Sequence, residues 1–592
     1  MATKDLIIVG AGPFGLIAAY TWLELNPNDN VMVLEAGPDL GGVWSKSRVY
    51  PTMMTQTPAD MLGYSCYLMP TPPREESFYD LFPGHHVTSY LEAFSMHKIF
   101  AGKTIKDRIM FDSPASNIMK VDSLWNVEIS TGNAFRCKKL IIATGLTSTP
   151  NIPSFPSKDF TPPIIHTRDL AANTALLSSP EIKSVLVIGG SKSAFDTVVL
   201  LASLNKSITW AIRTTGQGPA LPANPDAPWP LSNSHEIIST RLVSKMSPCI
   251  FEPLDGLTRF FHCNSMGIKM VDAIWGAIEG MWRKTAGYER NDSMRNLKPD
   301  RSVFWFSDGA AVYNKEGLWD IVAEADVLRD DVVSMQGKEV LFKSGKRVEC
   351  DAVITATGWS NVYPFFKDGL ARRLGLPVLP EEADADDIED WEARISQADK
   401  IVTDTFPRLK VQPNFPDRAQ KATPGRLYRY IAPVGDSEDR SIAFLGTIGT
   451  TQSFLVAEVQ ALWATAYLSG CLDIPSEETM RDKIALATAW RRRRYLGDGY
   501  TFIYEQLPVS VKSLEINASG IALLYIRSLM WGYRETNKMK YMSMLVRDLG
   551  LNDLRKGGGW REILSPYKSA DLKGVLEEWR SRNQSDRDAT AD

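Results

Sequence analysis

Three glycines near the start of the chain have the spacing of a phosphate-binding turn. They follow the apolar run 6–9, which predicts a buried strand, and a helix is predicted to begin directly after them. In such a G-x-G-x-x-G turn the first glycine permits the tight turn, the second lets the backbone approach a diphosphate, and the third lets the helix pack on the strand. The helix N-terminus then presents unpaired N–H groups to the phosphates. The predicted contact residues are Gly10, Ala11, Gly12, Pro13, Phe14 and Gly15.

An acidic residue completes this first pattern. Glu35 ends the next predicted strand, 31–34, twenty residues after Gly15. An acid at this position binds the ribose hydroxyls of a dinucleotide. The pattern therefore predicts a dinucleotide site rather than a glycine turn in an α/β unit that binds nothing.

A second strand–turn–helix pattern lies at 184–196, where an apolar run leads into Gly189. The following predicted strand, 208–212, ends in Arg213 and Thr214. In a dinucleotide-binding unit that strand end lies over the adenosine ribose. An acid there would favour NAD, whereas a guanidinium is a planar, bidentate partner for a 2′-phosphate. The pattern predicts NADP, and the simpler alternative is that Arg213 is a surface charge at a strand end.

The composition limits the class of protein. The 592 residues are enough for two to four domains, and a net charge of −4 does not indicate a nucleic-acid partner. The six cysteines are scattered without a C-x-x-C pair, which argues against a disulfide framework, a zinc site or a redox dithiol. A reducing, cytoplasmic location is the simplest expectation. No apolar run reaches the roughly 20 residues that span a membrane, and we expect no cleavable signal peptide.

The adjacent residues His85 and His86 suggest a metal site. Neighbouring positions point apart on regular elements, however, and the sequence shows no evident third ligand. We therefore predict no metal.

A family resemblance begins after Glu35, at Gly41-Gly42-Val43-Trp44. This G-G-x-W sequence resembles the flavin-binding start of the flavin-containing monooxygenases and Baeyer–Villiger monooxygenases, the class B flavoprotein monooxygenases. The resemblance implies that the first Rossmann unit binds FAD and that Gly42, Val43 and Trp44 lie along it.

The segment Thr55-Gln56-Thr57 is similar to the family segment that passes the flavin ring. Heteroatom-oxidising members commonly have Asn where this chain has Gln56. Both side chains are primary amides, and Gln is one methylene longer. Gln56 is therefore our candidate catalytic residue, predicted to lie against flavin and nicotinamide. The simpler alternative is a polar loop residue.

Two further segments resemble the family's A-T-G signatures. They are Ala143-Thr144-Gly145 and Ala356-Thr357-Gly358. In the family the first marks the return of the chain to the FAD domain beside the flavin, and the second marks the return from the NADPH domain. The second glycine turn resembles the family's NADPH-binding element, although Ser191 stands where a second glycine is usual. Lys192 is predicted to assist in phosphate binding. The implied contacts of this element are Gly189, Ser191, Lys192, Ser193, Ala194 and Asp196.

The linker between the two units carries a degraded form of a family motif. Phe160 and His166 match it, but Pro162 replaces a glycine and Leu170 replaces an aromatic residue, which is tryptophan in typical Baeyer–Villiger enzymes. The departure favours N- or S-oxygenation. His166 either has a chemical role or orders the linker between the domains.

The predicted fold is α/β, with two Rossmann-like dinucleotide-binding domains, a helical insertion and a helical C-terminal extension. The first part of the FAD domain spans 1–160, the NADPH domain 161–358 with its insertion at about 225–300, the second part of the FAD domain 359–470, and the extension 471–592. The insertion's amphipathic segments either cover core or contact a bulky substrate or a membrane surface. The basic cluster 491–494 is expected on an exposed helical face.

The resemblance implies an FAD- and NADPH-dependent monooxygenase of specialised metabolism. In this family NADPH reduces the flavin, O2 forms a flavin C4a-(hydro)peroxide, and one oxygen atom passes to the substrate, here expected to be a bulky apolar small molecule. N- or S-oxygenation or hydroxylation is preferred. The alternatives are Baeyer–Villiger oxidation of a ketone and an NADPH oxidase or reductase without oxygen insertion.

Overall fold

The computed structural model describes residues 3–216, 218–227, 231–305, 310–312, 314–414, 422–450, 452–496 and 540–591. Much of the predicted C-terminal extension, 497–539, lies outside the described residues. Within the described ranges no helix is both long and apolar enough to cross a membrane.

The first sheet is built around the first glycine turn. Its strands lie in the order β3-β2-β1-β6-β5-β4, and a late strand, β22, pairs with β6. The elements of this part are β1 (Lys4–Val9), α1 (Pro13–Leu25), β2 (Val31–Leu34), α2 (His85–Met96), β3 (Ile109–Met110), β4 (Ala115–Val121), β5 (Leu124–Ile129) and β6 (Ala134–Ile142). β1 pairs in parallel with β2 and β6, with Ile8 opposite Val33 and Ile141. These strands are nearly continuous apolar runs because both faces of a parallel sheet are covered.

The second sheet is wholly parallel, in the order β14-β11-β10-β18-β9, and it holds the second glycine turn. The segments leading to it are β7 (Thr149–Pro150), β8 (Ser157–Lys158), β9 (Ile164–His166) and α3 (Leu170–Ser178). The unit continues with β10 (Ser184–Ile188), α4 (Lys192–Ser203), β11 (Ser207–Ile212) and β12 (Leu221–Ala223).

Helices fill the predicted insertion. They are α5 (Ser234–Ile238), α6 (Arg241–Ser244), α7 (Gly256–Cys263), α8 (Ser265–Ala286) and α9 (Asp292–Asn296). The apolar face of α8 is buried through Val271, Trp275, Ile278 and Trp282, so this face covers core. The chain returns through β13 (Ala310–Val312), α10 (Leu318–Ala323), β14 (Asp326–Arg329), β15 (Val332–Gln336), β16 (Glu339–Phe342), β17 (Arg347–Glu349) and β18 (Ala352–Thr355).

The remaining elements complete the first unit and cover it. They are β19 (Trp359–Ser360), α11 (Leu370–Arg373), α12 (Ala385–Thr405), β20 (Leu427–Tyr428), β21 (Ala432–Pro433), β22 (Ile442–Phe444), α13 (Ser453–Leu468), α14 (Glu477–Tyr495), α15 (Lys540–Asp548), α16 (Gly559–Leu564) and α17 (Val575–Ala591). α13 is buried along its length and packs on α1.

The expectation for the basic cluster is wrong. Arg491 and Arg494 are buried, and Arg494 donates to Ser247 Oγ at 3.2 Å. Arg492 and Arg493 pair with Glu392 and Asp399 of α12. The cluster therefore fixes α14 to its neighbours instead of facing solvent.

Candidate active site

The first glycine turn has no room for side chains at two of its positions. Gly10 has a φ of +109°, and a Cβ built there would lie 2.5 Å from the carbonyl oxygen of Ala143. A Cβ at Gly15 would lie 1.8 Å from the carbonyl oxygen of Gly10. The turn thus joins the ends of β1 and β6 with α1, as the glycine spacing predicted.

The predicted flavin segment lies directly opposite this turn. A Cβ built on Gly12 would lie 3.6 Å from Gly42 Cα, and Gly42 has a φ of +61°. The N–H of Gly41 donates to the carbonyl of Ala11 at 2.9 Å, which fixes the two segments side by side. The two facing glycines leave backbone without side chains on both walls, which fits the diphosphate of a dinucleotide.

Glu35 lies at the end of β2 beside the turn. Its two carboxylate oxygens accept the N–H groups of Ala11 at 2.7 Å and Gly37 at 2.9 Å. Burial raises the pKa of Glu35, against the lowering effect of these hydrogen bonds. Each carboxylate oxygen keeps acceptor capacity, so the predicted contact with ribose hydroxyls fits this geometry.

The Gln56 segment is held from the side of α2. Thr55 N–H donates to the carbonyl of Phe82 at 2.8 Å, and Phe82 N–H donates to Thr55 Oγ1 at 3.1 Å. Thr57 is buried and Gln56 is half-buried. Trp44 is fixed nearby, since its carbonyl accepts the Thr88 hydroxyl at 2.6 Å and its ring packs on Gly84. The roles of Gln56, Val43 and Trp44 toward a flavin stay predictions.

The second A-T-G segment contacts the chain that follows the first. Thr357 Oγ1 donates to the carbonyl of Asn151 at 2.6 Å, and the side-chain amide of Asn151 donates to the carbonyl of Thr357 at 3.0 Å. Gly145 and Gly358 both have positive φ, +68° and +82°, where the chain turns after β6 and β18. β7 pairs with β19 beyond them. The outgoing and returning crossovers between the two sheets therefore form one junction.

His166 orders that junction. Its Nδ1 accepts the N–H of Arg168 at 3.1 Å, so the proton lies on Nε2, which donates to the carbonyl of Gly358 at 3.0 Å. Burial lowers the pKa of this imidazole, and its ring lies edge-on to Trp359 with centroids 4.8 Å apart. Of the two roles considered for His166, this geometry favours the ordering of the linker. Leu170, in place of the family's aromatic residue, is buried.

The second glycine turn is equally tight. Gly189 has a φ of +140°, and a Cβ there would lie 2.2 Å from the carbonyl oxygen of Ala356. Ser191 is exposed as the residue before α4, and its side chain makes no capping hydrogen bond. Ser193 is half-buried and Ala194 is buried.

Two predicted nucleotide contacts, Lys192 and Thr214, have partners that the sequence did not indicate. The ammonium of Lys192 pairs with Asp196 one turn further along α4. The Thr214 hydroxyl donates to Asp331. The carboxylates of Asp196 and Asp331 therefore bind the two side-chain groups that we expected to face phosphate. Arg213 is exposed, and its guanidinium lies against Gly216.

The sequence missed a potential third ligand beside the paired histidines. Glu76 Oε2 lies 2.7 Å from His86 Nε2 and 3.8 Å from His85 Nε2. The two imidazoles lie with ring centroids 4.2 Å apart at the start of α2, so they do not point apart as expected. The expectation that the two rings point apart is therefore wrong, and the absence of a metal stays a prediction.

Comparisons with known proteins agree with the two glycine turns. The family model described as pyridine nucleotide-disulphide oxidoreductase matches residues 7–239. The FAD-dependent monooxygenase DEP4 of Fusarium langsethiae is 31% identical, over 99% of this chain and 97% of its own. The FAD-dependent monooxygenase resA of Aspergillus sclerotiorum is 30% identical, over 98% of each chain. An open crystal structure of cyclohexanone monooxygenase has a TM-score of 0.55 at 16% identity, over 84% of this chain and 96% of that one, and shares the fold.

The fold and the paired turns define a two-dinucleotide flavoprotein. The chain belongs to the FAD-dependent monooxygenases, within the class B flavoprotein monooxygenases. It is a flavin monooxygenase, and FAD is the cofactor of its family.

Proposed function

We propose that this enzyme uses NADPH as its electron donor and inserts one atom of O2 into a bulky apolar small molecule, by N- or S-oxygenation or hydroxylation. The observation that carries the proposal is the junction of the two crossovers. There Asn151, in the segment that follows β6 and β7, and Thr357, which follows β18, hydrogen-bond to each other. Two dinucleotides bound on those turns would approach each other at this junction, because ligands of parallel sheets bind at the carboxyl ends of the strands.

Several residues have defined tasks in this proposal. The turn around Gly12, with Glu35 and Gly42, would hold FAD, and the turn around Gly189, with Arg213, would hold NADPH. Bound FAD supplies the chemistry that activates O2. The protein's own contributions are to bind and orient both dinucleotides and to exclude water from the reacting groups. Gln56 would hold a hydrogen bond beside the flavin, as its amide can both donate and accept.

The expected substrate follows from what packs beside the Gln56 segment. Ser239 of the insertion donates to Met61 Sδ at 3.6 Å. The N–H of Tyr567, in the C-terminal extension, donates to the carbonyl of Ser239 at 2.9 Å. The insertion and the extension therefore cover the loop that follows Gln56. This covering supports a substrate site that is shielded from solvent.

The first experiment is anaerobic reduction with NADPH, followed by rapid mixing with oxygenated buffer while absorbance is recorded. We expect full flavin reduction, faster with NADPH than with NADH, and then a long-lived near-ultraviolet band distinct from oxidised flavin. Amines, sulfides and ketones are then screened as substrates. Direct return of oxidised flavin with one peroxide per NADPH, with every substrate tested, would contradict oxygen insertion. An ester or lactone from a ketone would instead establish the Baeyer–Villiger reaction.

A matched pair of variants tests Gln56. Gln56→Leu is expected to raise the peroxide released per NADPH several-fold, because a hydrogen bond beside the reacting flavin is lost. Gln412→Leu is the control, since the Gln412 amide donates to the carbonyls of Arg492 and Arg493 at the end of α14, each at 2.9 Å. Equal peroxide yields from the two variants would contradict the role of Gln56.

A further inference from the structure

Arg48 lies at the junction of the two crossovers and contacts both. Its Nη2 donates to the carbonyl of Thr147, which follows the first A-T-G segment, at 3.0 Å. Its guanidinium carbon lies 5.4 Å from the ring centroid of Trp359, which follows the second A-T-G segment. These contacts hold the planar guanidinium in one orientation.

The charge of this guanidinium is not neutralised by a direct partner. Burial lowers the pKa of Arg48 to about 10, with Arg168 as a second cause, so Arg48 is charged at neutral pH. Two carboxylates, of Asp169 and Glu35, act on Arg48 from a greater distance, and both have other partners. Asp169 pairs with the adjacent Arg168 at 2.8 Å, and Glu35 accepts backbone N–H groups. Within the described ranges no carboxylate lies within ion-pair distance of Arg48, whose Nε and Nη1 have no protein acceptor there. A half-buried cation with no carboxylate in ion-pair range and with two free donors can bind an anion.

The segment that carries Arg48 runs between the two glycine turns. At one end Gly42 faces Gly12 of the first turn. At the other end Tyr50 is buried near Asp196, and burial, together with the charge of Asp196, raises the pKa of the Tyr50 hydroxyl; Asp196 lies in the first turns of α4, directly after the second glycine turn. Arg48 lies between these two ends of the segment. Its Nε and Nη1, which have no protein acceptor among the described residues, are not fully buried.

We propose that Arg48 binds the diphosphate of a dinucleotide in the cleft between the two glycine turns. A guanidinium suits this ligand because it can donate two parallel N–H groups to two phosphate oxygens. The inference rests on the proposed function. NADPH and FAD are the two possible sources of the diphosphate, and the position of Tyr50 near Asp196 favours NADPH.

The experiment measures binding of NADP+ and of 2′-AMP to the FAD-loaded protein by calorimetry. The nucleotide 2′-AMP carries the 2′-phosphate but no diphosphate. Arg48→Gln is expected to raise the Kd for NADP+ about 10- to 100-fold, the size of a lost charged hydrogen-bond pair, and to leave the Kd for 2′-AMP within about twofold. Arg48→Lys keeps the charge but loses the bidentate geometry, so it is expected to be intermediate. Arg213→Gln is the matched control and should weaken both ligands.

A second arm identifies the source of the diphosphate. The FAD affinity of each apoprotein is measured from the quenching of flavin fluorescence. A loss of FAD affinity in Arg48→Gln, with NADP+ binding kept, would support the diphosphate site and assign it to FAD. Unchanged binding of both dinucleotides by Arg48→Gln, or equal weakening of NADP+ and 2′-AMP, would overturn the inference. If Arg48→Gln does not fold, Arg48→Lys decides by the same criteria. A wild-type protein that binds no NADP+ would contradict the proposed function itself.

Discussion

At the scale of single residues, two histidines of the insertion are buried in their neutral form. His262 Nε2 donates to the carbonyl of Lys245 at 2.8 Å, whereas its Nδ1 is buried and has no partner among the described residues. Burial lowers the pKa of His262 to about 3, and the nearby cation of Lys540 lowers it further. Burial alone lowers the pKa of His235 to about 4. A proton added to either ring would be buried, and at His262 it would also lie near cations, so these residues make the native state sensitive to acid.

The sign of the pH dependence follows from the lowered pKa. Below the ordinary pKa of 6.5 the unfolded chain binds a proton that native His262 does not bind, so the free energy of unfolding falls as the pH falls. The loss is about 1.4 kcal/mol per pH unit for one such histidine, or about 2 kcal/mol at pH 5. Thermal unfolding at pH 7.5, 6 and 5 should show a shallower fall of Tm in His262→Gln than in the wild type. His85→Gln, at an exposed ring, is the control, and equal pH slopes for wild type and His262→Gln would refute this account.

The most predictable part of the candidate site is its backbone geometry. Gly10, Gly15 and Gly189 could be identified because any side chain there would collide with a carbonyl, and that constraint is visible in spacing alone. Lys192 and Thr214 were less predictable, because the ammonium of Lys192 and the hydroxyl of Thr214 have protein partners. Asp331, the partner of Thr214, is distant in sequence, so no local pattern could show it.

At the scale of secondary-structure elements, the two βαβ units were predictable and the packing of the helices was not. Periodicity indicated that α8 has an apolar face, and the structure buries that face. The four consecutive arginines of α14, 491–494, appear in the sequence as a simple charge run. The partners of Arg492 and Arg493 are Glu392 and Asp399 of α12, about 100 residues away, and only the packing of α12 on α14 brings these pairs together. A single sequence does not contain that information.

A buried ion pair between helices α6 and α16 gives a prediction at the scale of elements. Arg241 of α6 and Glu562 of α16 have no exposed side-chain surface, and Arg241 Nε lies 2.6 Å from Glu562 Oε1. Arg241→Met or Glu562→Leu alone would leave a buried charge without its partner and is expected to cost about 3–5 kcal/mol of unfolding free energy. The double variant should be more stable than either single variant, because it leaves neither charge. Urea unfolding of all four proteins measures this, and additive losses would contradict the pairing.

At the scale of the whole molecule, the described part of the extension is held to residues 429–460 by shared contacts. Asp548 of α15 forms a bidentate ion pair with Arg429 at 2.8 and 2.9 Å. The hydroxyl of Tyr541 donates to the carbonyl of Arg429, and Gln460 of α13 donates to the same hydroxyl, each at 2.7 Å. The described part of the extension is therefore integrated with the helix that completes the first unit. We infer that its loosening would reach the candidate active site.

Lys568 tests this integration, because it joins three parts of the chain. Its ammonium lies 2.6 Å from Asp60, beside the Gln56 segment, and 2.8 Å from Glu236 of the insertion. Lys568→Met should therefore speed amide hydrogen exchange together in 59–61, 234–238 and 553–572. The expected change is roughly fivefold, corresponding to about 1 kcal/mol for a partly exposed ion pair. Lys556→Met is the matched control, since Lys556 pairs with Asp571 inside the extension at 2.9 Å. Its effect should stay within 553–572, and if the effect of Lys568→Met were equally confined, the three parts would open independently and the extension would not support the active site.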